Sequence, residues 1–410
     1  MAFPTPDQRI DPPRWMTAPE TTAVMAALGG PGATPTTLFV GGCVRNTLMD
    51  RPVDDIDLAT VLTPEEVLQR LEAARLRGVP TGLAHGTVTA VSGGKGFEVT
   101  TLRRDRETDG RRAVVGFTDD WVQDAQRRDF TMNTLLAAPD GSVYDPLGRG
   151  LADLRARRVV FVGDPDRRIA EDRLRVLRFF RFHGAYAEGP PDEAALSACA
   201  RAAGDLSSLS RERVTQEFMK ILCGRDPARV LDLMAGCRVV PELCANPSAR
   251  RILSALCTLQ AANDAPDDPS ARLAALAETD PARLERLADS LVLPHARRDR
   301  ARTLCAASGD VPADPDSSVL PLLYRHGLEA SVQAVLLALA SGRVPAAALR
   351  LLPRLRAAPR PVFPVSGADL IGIGVPAGPG MGAILADLER WWLEQNCAPN
   401  RTALLARVQK

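Results

Sequence analysis

Lysine is almost missing from this 410-residue chain. Lys95, Lys220 and Lys410 stand against 48 arginines, and 50 acidic residues bring the net charge to +1. That balance alone speaks neither for nor against a nucleic-acid partner. The arginine excess follows from genome base composition, yet it also suits flat, bidentate contacts to phosphates and base edges. The eight cysteines form no CxxC pair and do not cluster with the four histidines, which argues against a disulfide framework and a zinc site. No apolar run approaches the roughly 18 residues of a membrane span. The start, MAFPTPDQRIDPPRWMTAPE, lacks the basic head and apolar middle of a secretory signal. A cytoplasmic chain is expected, with no membrane contact and no protein partner evident. No GxxxxGK[ST] occurs, so a Walker loop is not expected either.

What is present is unevenly distributed. The chain is too long for one core, so two to four domains are expected. Residues 1–36 form a Pro- and Thr-rich extension around one helical candidate, Thr21–Leu28. From Thr37, TLFV reads as a strand, Gly41-Gly42 as a tight turn, VRNTLMD as a short helix and DDIDLA as a strand. Thr63-Pro64-Glu65-Glu66 opens a helix expected to run to about Leu76 and to stop at Gly78. GTVTAVS and FEVTTL form a hairpin across GGKG. Residues 103–118 read as a mobile loop, and NTLLAAPDGSVYDP as a weaker hairpin. After about residue 162 strands give way to Ala- and Leu-rich helices. The fold class is therefore α+β: a head of about 160 residues with a small mixed β-sheet and flanking helices, then an all-helical remainder.

Four segments carry chemistry. In VDDIDLAT, a strand would turn Asp55 and Asp57 to one face, where two carboxylates repel unless a cation lies between them. Glu98 in GFEVTTL is a candidate third carboxylate. An acidic strand end in solvent is the plain alternative for both. In GGCVRN, Gly41 and Gly42 would let the backbone approach a phosphate and Arg45 could add a charge-assisted contact, although the glycine pair alone reads as an ordinary βα turn. In RRDFTMNTL, Arg128, Asp129 and Asn133 suit a ribose and a triphosphate, although a salt-bridged helix end also accounts for them. In EDRLRVLRFFRF, Asp172 and Arg175 would share a helix face and could read a Watson–Crick edge, although an intrahelical salt bridge is the commoner meaning of such a pair. Arg178 and Arg181 continue a basic row toward RNA phosphate.

Together with DPLGRGLADL and SRERVTQEFMKIL, these segments resemble the class II tRNA nucleotidyltransferase and bacterial poly(A) polymerase family, in order over about residues 38–222. The C-terminal FPVSGADLIGIGVPAGPGMGAILADLERWW is similar to the tail of some CCA-adding enzymes. The resemblance implies a nucleotidyltransferase head over 37–160, a helical neck over 161–225 that recognises the base, and a helical body and tail over 226–410 that bind tRNA. It implies that Asp55 and Asp57 hold Mg²⁺, with Glu98 beside them. Gly41, Gly42 and Arg45 would cradle the triphosphate; Arg128, Asp129 and Asn133 would meet sugar and phosphates. Asp172 and Arg175 would template the base, with Arg178 and Arg181 at nucleotide and RNA. The implied partners are CTP, ATP and the tRNA 3′ end, and the implied reaction adds C, C and A. A poly(A) polymerase, or an enzyme adding A or C alone, shares the head motifs. A non-catalytic RNA-binding protein would not need the carboxylates. An HD-type phosphohydrolase domain, found in some members, is not expected, since no His-Asp dipeptide occurs. Asn46 stands where Asp is also common and Thr134 where Ala is common; neither is expected to touch a catalytic role.

Overall fold

A computed structural model describes residues 5–32, 34–105, 115–239 and 246–408. The chain divides into two compact units, Met1–Ser207 and Ser208–Lys410.

The first unit is built on a sheet of strands β1 Gln8–Arg9, β2 Thr37–Val40, β3 Asp57–Thr60, β4 Arg77–Gly82, β5 Thr87–Ser92, β6 Lys95–Thr101, β9 Leu136–Ala137 and β10 Ser142–Tyr144. Their order across the sheet is β1-β10-β9-β2-β3-β6-β5-β4. Only β3 and β6 pair in parallel; every other pairing in this sheet is antiparallel. A separate ribbon joins β7 Arg103–Asp105 to β8 Val115–Phe117. The helices are α1 Arg14–Thr17, α2 Pro19–Ala27, α3 Gly42–Leu48, α4 Pro64–Ala73, α5 Trp121–Gln126, α6 Gly150–Arg155, α7 Pro165–Glu171, α8 Arg175–Tyr186 and α9 Glu193–Arg201. Leu38, Val40, Ala59, Leu102, Leu136, Ala138 and Tyr144 form a buried cluster on the sheet. A second core is aromatic. Phe130 lies 4.9 Å from both Phe161 and Phe182, ring centre to ring centre, and ties the end of the sheet region to α8.

Several expectations change here. The N-terminal segment is not a bare extension, because β1 adds to the sheet beside β10. Trp15 packs edge-on to Phe39 at 4.9 Å and donates from Nε1 to Thr47 Oγ1 at 3.0 Å. Helix α4 has the expected capping box, Thr63 with Glu66, but ends at Ala73, and Arg75 takes a left-handed φ of 58°. Gly78 is therefore no helix stop. It lies in β4, a strand missed in the sequence, where a Cβ would meet Leu68 Cδ2 at 2.7 Å; glycine lets that strand close on α4. Of the expected loop 103–118, the flanks pair as the β7–β8 ribbon and residues 106–114 lie outside the described residues. The single helix expected through Asp172 is two helices, α7 and α8, with Asp172 extended between them at φ −150°, ψ 104°.

Among its described residues the second unit has helices joined by loops and no strand: α10 Arg211–Leu222, α11 Pro227–Gly236, α12 Pro247–Ala262, α13 Pro269–Leu276, α14 Pro281–Ser290, α15 His295–Gly309, α16 Leu320–Ala340, α17 Leu351–Ala357, α18 Gly367–Gly372, α19 Pro379–Glu394 and α20 Arg401–Val408. Helix α13 is buried from Ser270 to Leu276. Its Arg272 is 1% exposed and donates from Nη1 to the carbonyls of Leu222 and Gly224, closing the end of α10. Val365, Leu370, Leu388, Trp392 and Leu404 make a separate core for α18–α20.

Candidate functional site

The acidic stretch sits where β3 begins. Asp57 is its first residue and the direct partner of Glu98 on the parallel strand β6. Paired residues of neighbouring strands project to one face, so these two carboxylates lie side by side. Phe97 and Val99 are buried on the other face, as the alternation requires. Asp55 precedes the strand and is exposed, so strand alternation does not align it with Asp57, contrary to the expectation. Proximity nonetheless holds. Burial, then repulsion from Glu98 and Asp55, pushes Asp57 up to about 6, against attraction from Arg128 and Arg45. Among the described residues, no group of three or more His, Cys, Asp or Glu gathers closely enough to hold an ion by itself. Two carboxylates still fit a hard divalent ion that takes its remaining oxygens from phosphate or water.

Gly41 joins β2 to α3 at φ 69°, ψ −117°, a conformation closed to residues with a Cβ. Gly42 has no such constraint, and a Cβ there would make only ordinary contact with Arg45 Nη2 at 3.8 Å. The Gly41 turn is braced by a bond from its N–H to the Leu135 carbonyl at 3.2 Å.

Arg45 is 6% exposed, and burial lowers its pKa. Its guanidinium donates to Asn133 Oδ1 at 2.6 Å, to Asn46 Oδ1 at 2.9 and 3.2 Å and to the Tyr186 hydroxyl at 2.7 Å. It also stacks 4.1 Å from the Tyr186 ring centre and 5.2 Å from that of Phe182. These side-chain acceptors are neutral, and none of the salt bridges among the described residues includes Arg45. Asp129, the carboxylate that attracts it, is engaged by Arg178 and Asn133, and a buried cation in no salt bridge favours an anionic ligand. Asn46, expected to have no catalytic role, is one of three acceptors that hold Arg45, while Thr134 turns its hydroxyl to the Thr131 carbonyl.

From Asn133 the network runs inward. Its amide donates to Asp129 Oδ1 at 2.9 Å, and Asp129 Oδ2 accepts from Arg178 Nε at 2.9 Å. Asp129 is 8% exposed, so it braces Arg178 from inside. Arg128 faces the Gly41 turn: its Nη1 would lie 3.7 Å from a Cβ there. Asp124 holds it, accepting from Arg128 Nη2 at Oδ2 and from Arg127 Nε at Oδ1, each at 2.8 Å.

Asp172 and Arg175 do not share a helix face, since the chain breaks between them. Asp172 Oδ1 accepts from the Leu174 N–H at 3.1 Å. Arg175 Nη1 donates to Glu171 Oε2 at 2.6 Å and to the Arg168 carbonyl at 2.7 Å, and Nη2 to the Arg127 carbonyl at 3.2 Å. Arg181 lies 4.4 Å from the Phe182 ring centre.

Sequence reasoning missed Tyr186, Asp124 and Asn46 as holders of the site arginines. Asp124 had a local signal, lying three and four residues before Arg127 and Arg128 on one helical turn. Tyr186 had none, being 141 residues from Arg45.

A mixed sheet with paired carboxylates at a strand mouth, a glycine turn at the neighbouring strand and an arginine-bearing helix behind it define a nucleotidyltransferase head. Residues 37–160 match the family described as the poly A polymerase head domain, and residues 191–246 one described as a probable RNA and SrmB binding site of polymerase A. The chain is 34% identical over 381 residues to a mitochondrial CCA tRNA nucleotidyltransferase 1 of Danio rerio, covering 91% of this chain and 86% of that protein. It is 31% identical over 384 residues to the CCA-adding enzyme of Limosilactobacillus fermentum, covering 90% and 91%. The Bacillus stearothermophilus CCA-adding enzyme, solved in complex with CTP, superposes with a TM-score of 0.73 at 29% identity over 94% of each chain. The Thermotoga maritima enzyme, solved with tRNA, has the same fold, with a TM-score of 0.66 at 19% identity over 98% of this chain and 99% of that one. The chain belongs to the class II tRNA nucleotidyltransferase family, which includes the bacterial poly(A) polymerases, and it is a nucleotidyltransferase. None of its described helices is long and apolar enough to cross a membrane.

Proposed function

We propose that this enzyme completes the 3′ end of tRNA, adding C, C and A from CTP and ATP. The observation that carries the reading is a pair of opposite charges that share no salt bridge: a buried Arg45 whose side-chain hydrogen bonds go to neutral acceptors, and an Asp57 whose ionisation is resisted by burial, then by Glu98 and Asp55, against attraction from Arg128 and Arg45. A triphosphate with a divalent ion satisfies both at once.

In this reading the 3′-oxygen of the RNA attacks the α-phosphorus of the nucleotide, the α–β phosphoanhydride bond breaks and pyrophosphate leaves. Asp55 and Asp57 hold the ion, with Glu98 beside them raising the affinity for positive charge. The ion in our reading is Mg²⁺, which when bound would supply Lewis acidity to the attacking hydroxyl and the leaving phosphates. The chain itself supplies position and charge. The Gly41-Gly42 turn, Arg45 and Arg128 bind the triphosphate. Asp129 and Asn133 orient Arg178 and Arg45. Asp172 and Arg175 read the base edge, with the Arg175 Nε–H and one Nη2–H left unused by Glu171, Arg168 and Arg127. A wrong base leaves those groups buried and unpaired, which is the source of discrimination. Arg181 lies on the same helix toward the RNA. The neck, body and tail divisions at 161–225 and 226–410 belong to this proposal. So does a cytoplasmic site of action, although relatives named above include a mitochondrial enzyme.

The test is tRNA lacking its terminal CCA, incubated with Mg²⁺ and labelled nucleotides. CTP alone is expected to add two residues, and CTP with ATP to finish at one A. Long A tails from ATP alone would make the protein a poly(A) polymerase instead. Asp172→Ala is expected to blur selection among the four nucleotides; an unchanged preference for CTP and ATP would remove the templating role.

A further inference from the structure

A cavity of about 590 Å³ opens in the first unit, and its walls include none of the carboxylates, glycines or base-reading residues above. Five arginines line it (Arg104, Arg127, Arg149, Arg167 and Arg168) against a single acid, Asp164. Among the described residues, the acids within reach do not balance that charge. Asp164 is turned to the backbone, accepting the Arg167 N–H at 2.8 Å. Arg127 is held by Asp124, and Arg168 by Glu171 at 2.5 Å. Arg167 reaches Glu171 only at 3.6 Å, with its side chain 78% exposed. Arg104 and Arg149 are exposed, and none of the salt bridges among the described residues includes them. Arg103, next to Arg104 in the chain, has a buried Nε without a hydrogen-bond partner, while its Nη1 donates to the His85 carbonyl at 3.0 Å. Burial, and then repulsion from Arg127, hold its pKa down to about 10. A concave wall of like charge focuses the field on whatever enters.

We propose that this cavity is a phosphate site for RNA: it takes a backbone phosphate of the tRNA strand whose 3′ end is extended. The inference rests on the function proposed above. The nucleotide's own triphosphate is already provided for at the Gly41 turn, by residues that do not reach this cavity. The rim formed by Arg104, Gln123, Gln126, Arg149 and Arg167 is exposed, which suits a strand running across it better than an enclosed nucleotide. Asp124 links the two places, because one of its oxygens holds Arg127 in this wall and the other holds Arg128 at the catalytic turn. A phosphate seated here would register the RNA against the reacting centre.

The experiment compares the full chain with Arg104→Ala/Arg149→Ala, a charge-preserving Arg104→Lys/Arg149→Lys, and a control pair on other exposed elements, Arg70→Ala/Arg77→Ala. Affinity for tRNA lacking CCA is measured directly across a salt series, and KM for CTP and inhibition by pyrophosphate are measured in parallel. The alanine pair is expected to weaken RNA binding about tenfold and to lower the salt slope by about 0.7 per arginine. The lysine pair should recover most of the affinity, and the control pair should change little. CTP and pyrophosphate constants should stay within about twofold of wild type. Unchanged RNA affinity, an equal loss in the control pair, or an effect confined to CTP or pyrophosphate would overturn the proposal. Because binding is read without turnover, failure of the wild type to add nucleotides counts against the proposed function and not against this site.

Discussion

The Tyr186 hydroxyl accepts a hydrogen bond from Arg45 Nη2 at 2.7 Å, while the face of the same ring carries that guanidinium 4.1 Å from its centre. Arg51 lies 4.7 Å from the same ring centre, so one phenol on α8 steadies two cations of the head. Tyr186→Phe removes the acceptor and keeps the ring. The expected result is a KM for CTP and ATP raised about fivefold, the equivalent of one hydrogen bond, with a smaller change in kcat. Tyr186→Ala should cost more than the Phe variant, because stacking is lost as well. Equal KM values in wild type and both variants would remove Tyr186 from the positioning of Arg45.

Asp57 makes a pH prediction. Its pKa is pushed up to about 6 by burial, then by Glu98 and Asp55. An acid with a higher pKa in the folded state binds more protons there, so the native state loses this contribution as pH rises from the unfolded value near 4 through 6. Asp57→Asn escapes that loss. In metal-free protein, the variant's Tm relative to wild type should therefore grow by about 3 °C between pH 4.5 and pH 7.5. Mg²⁺ should raise the wild-type Tm and leave the variant unmoved, and the variant should be inactive. The checks are thermal melts with and without the ion.

Asp129 behaves oppositely. Burial raises its pKa, but Arg178 and the hydrogen bonds from Asn133 and the Phe130 N–H more than offset this and leave it below the ordinary carboxylate range. Its contribution is present above the unfolded pKa, near 4, and is lost as pH falls through the lower folded value. Asp129→Ala removes the carboxylate that Arg178 and Asn133 donate to; Arg178 keeps the Phe182 ring face and is 31% exposed, so the expected cost at pH 7 is about 1–3 kcal/mol. Urea denaturation at pH 7 and pH 3 should show that deficit narrowing in acid.

Arg272 tests the second unit. Its guanidinium is buried against the Leu222 and Gly224 carbonyls and Gln260 Oε1. Arg272→Met keeps much of the volume and leaves those acceptors without a donor, at an expected cost of about 2–4 kcal/mol. Asp267, its acidic partner, has a side chain 58% exposed, and Asp267→Ala should cost well under 1 kcal/mol. Chemical unfolding followed by tryptophan fluorescence separates the two variants.

Much of the head was legible because its cues are local. The Thr63 cap, the Gly93-Gly94 hairpin and the buried alternation of Phe97 and Val99 each follow from neighbours within a few residues. Strand β4 was not legible: Arg77 and Gly82 look like loop chemistry, and it is the pairing with β5 that holds them extended. The N-terminal strand failed for the same reason, since Gln8 pairs with Val143, far along the chain. The break at Asp172 had no breaker residue to announce it. An Asp that caps the Leu174 N–H starts a new helix as readily as it rides inside one.

The sequence by itself carried the candidate residues and their order: acids at Asp55 and Asp57, a tight turn at Gly41-Gly42, and arginines in place of lysines. These are matters of side-chain chemistry and local backbone sterics, which need no partner to be read. Tertiary structure decided how each charge is met. It set Glu98 beside Asp57 across a parallel pair, gave Arg45 neutral acceptors from Asn133 and Tyr186, and turned Asp129 inward to Arg178. Electrostatic energy depends on distance and burial between residues remote in the chain, and only the folded packing fixes those.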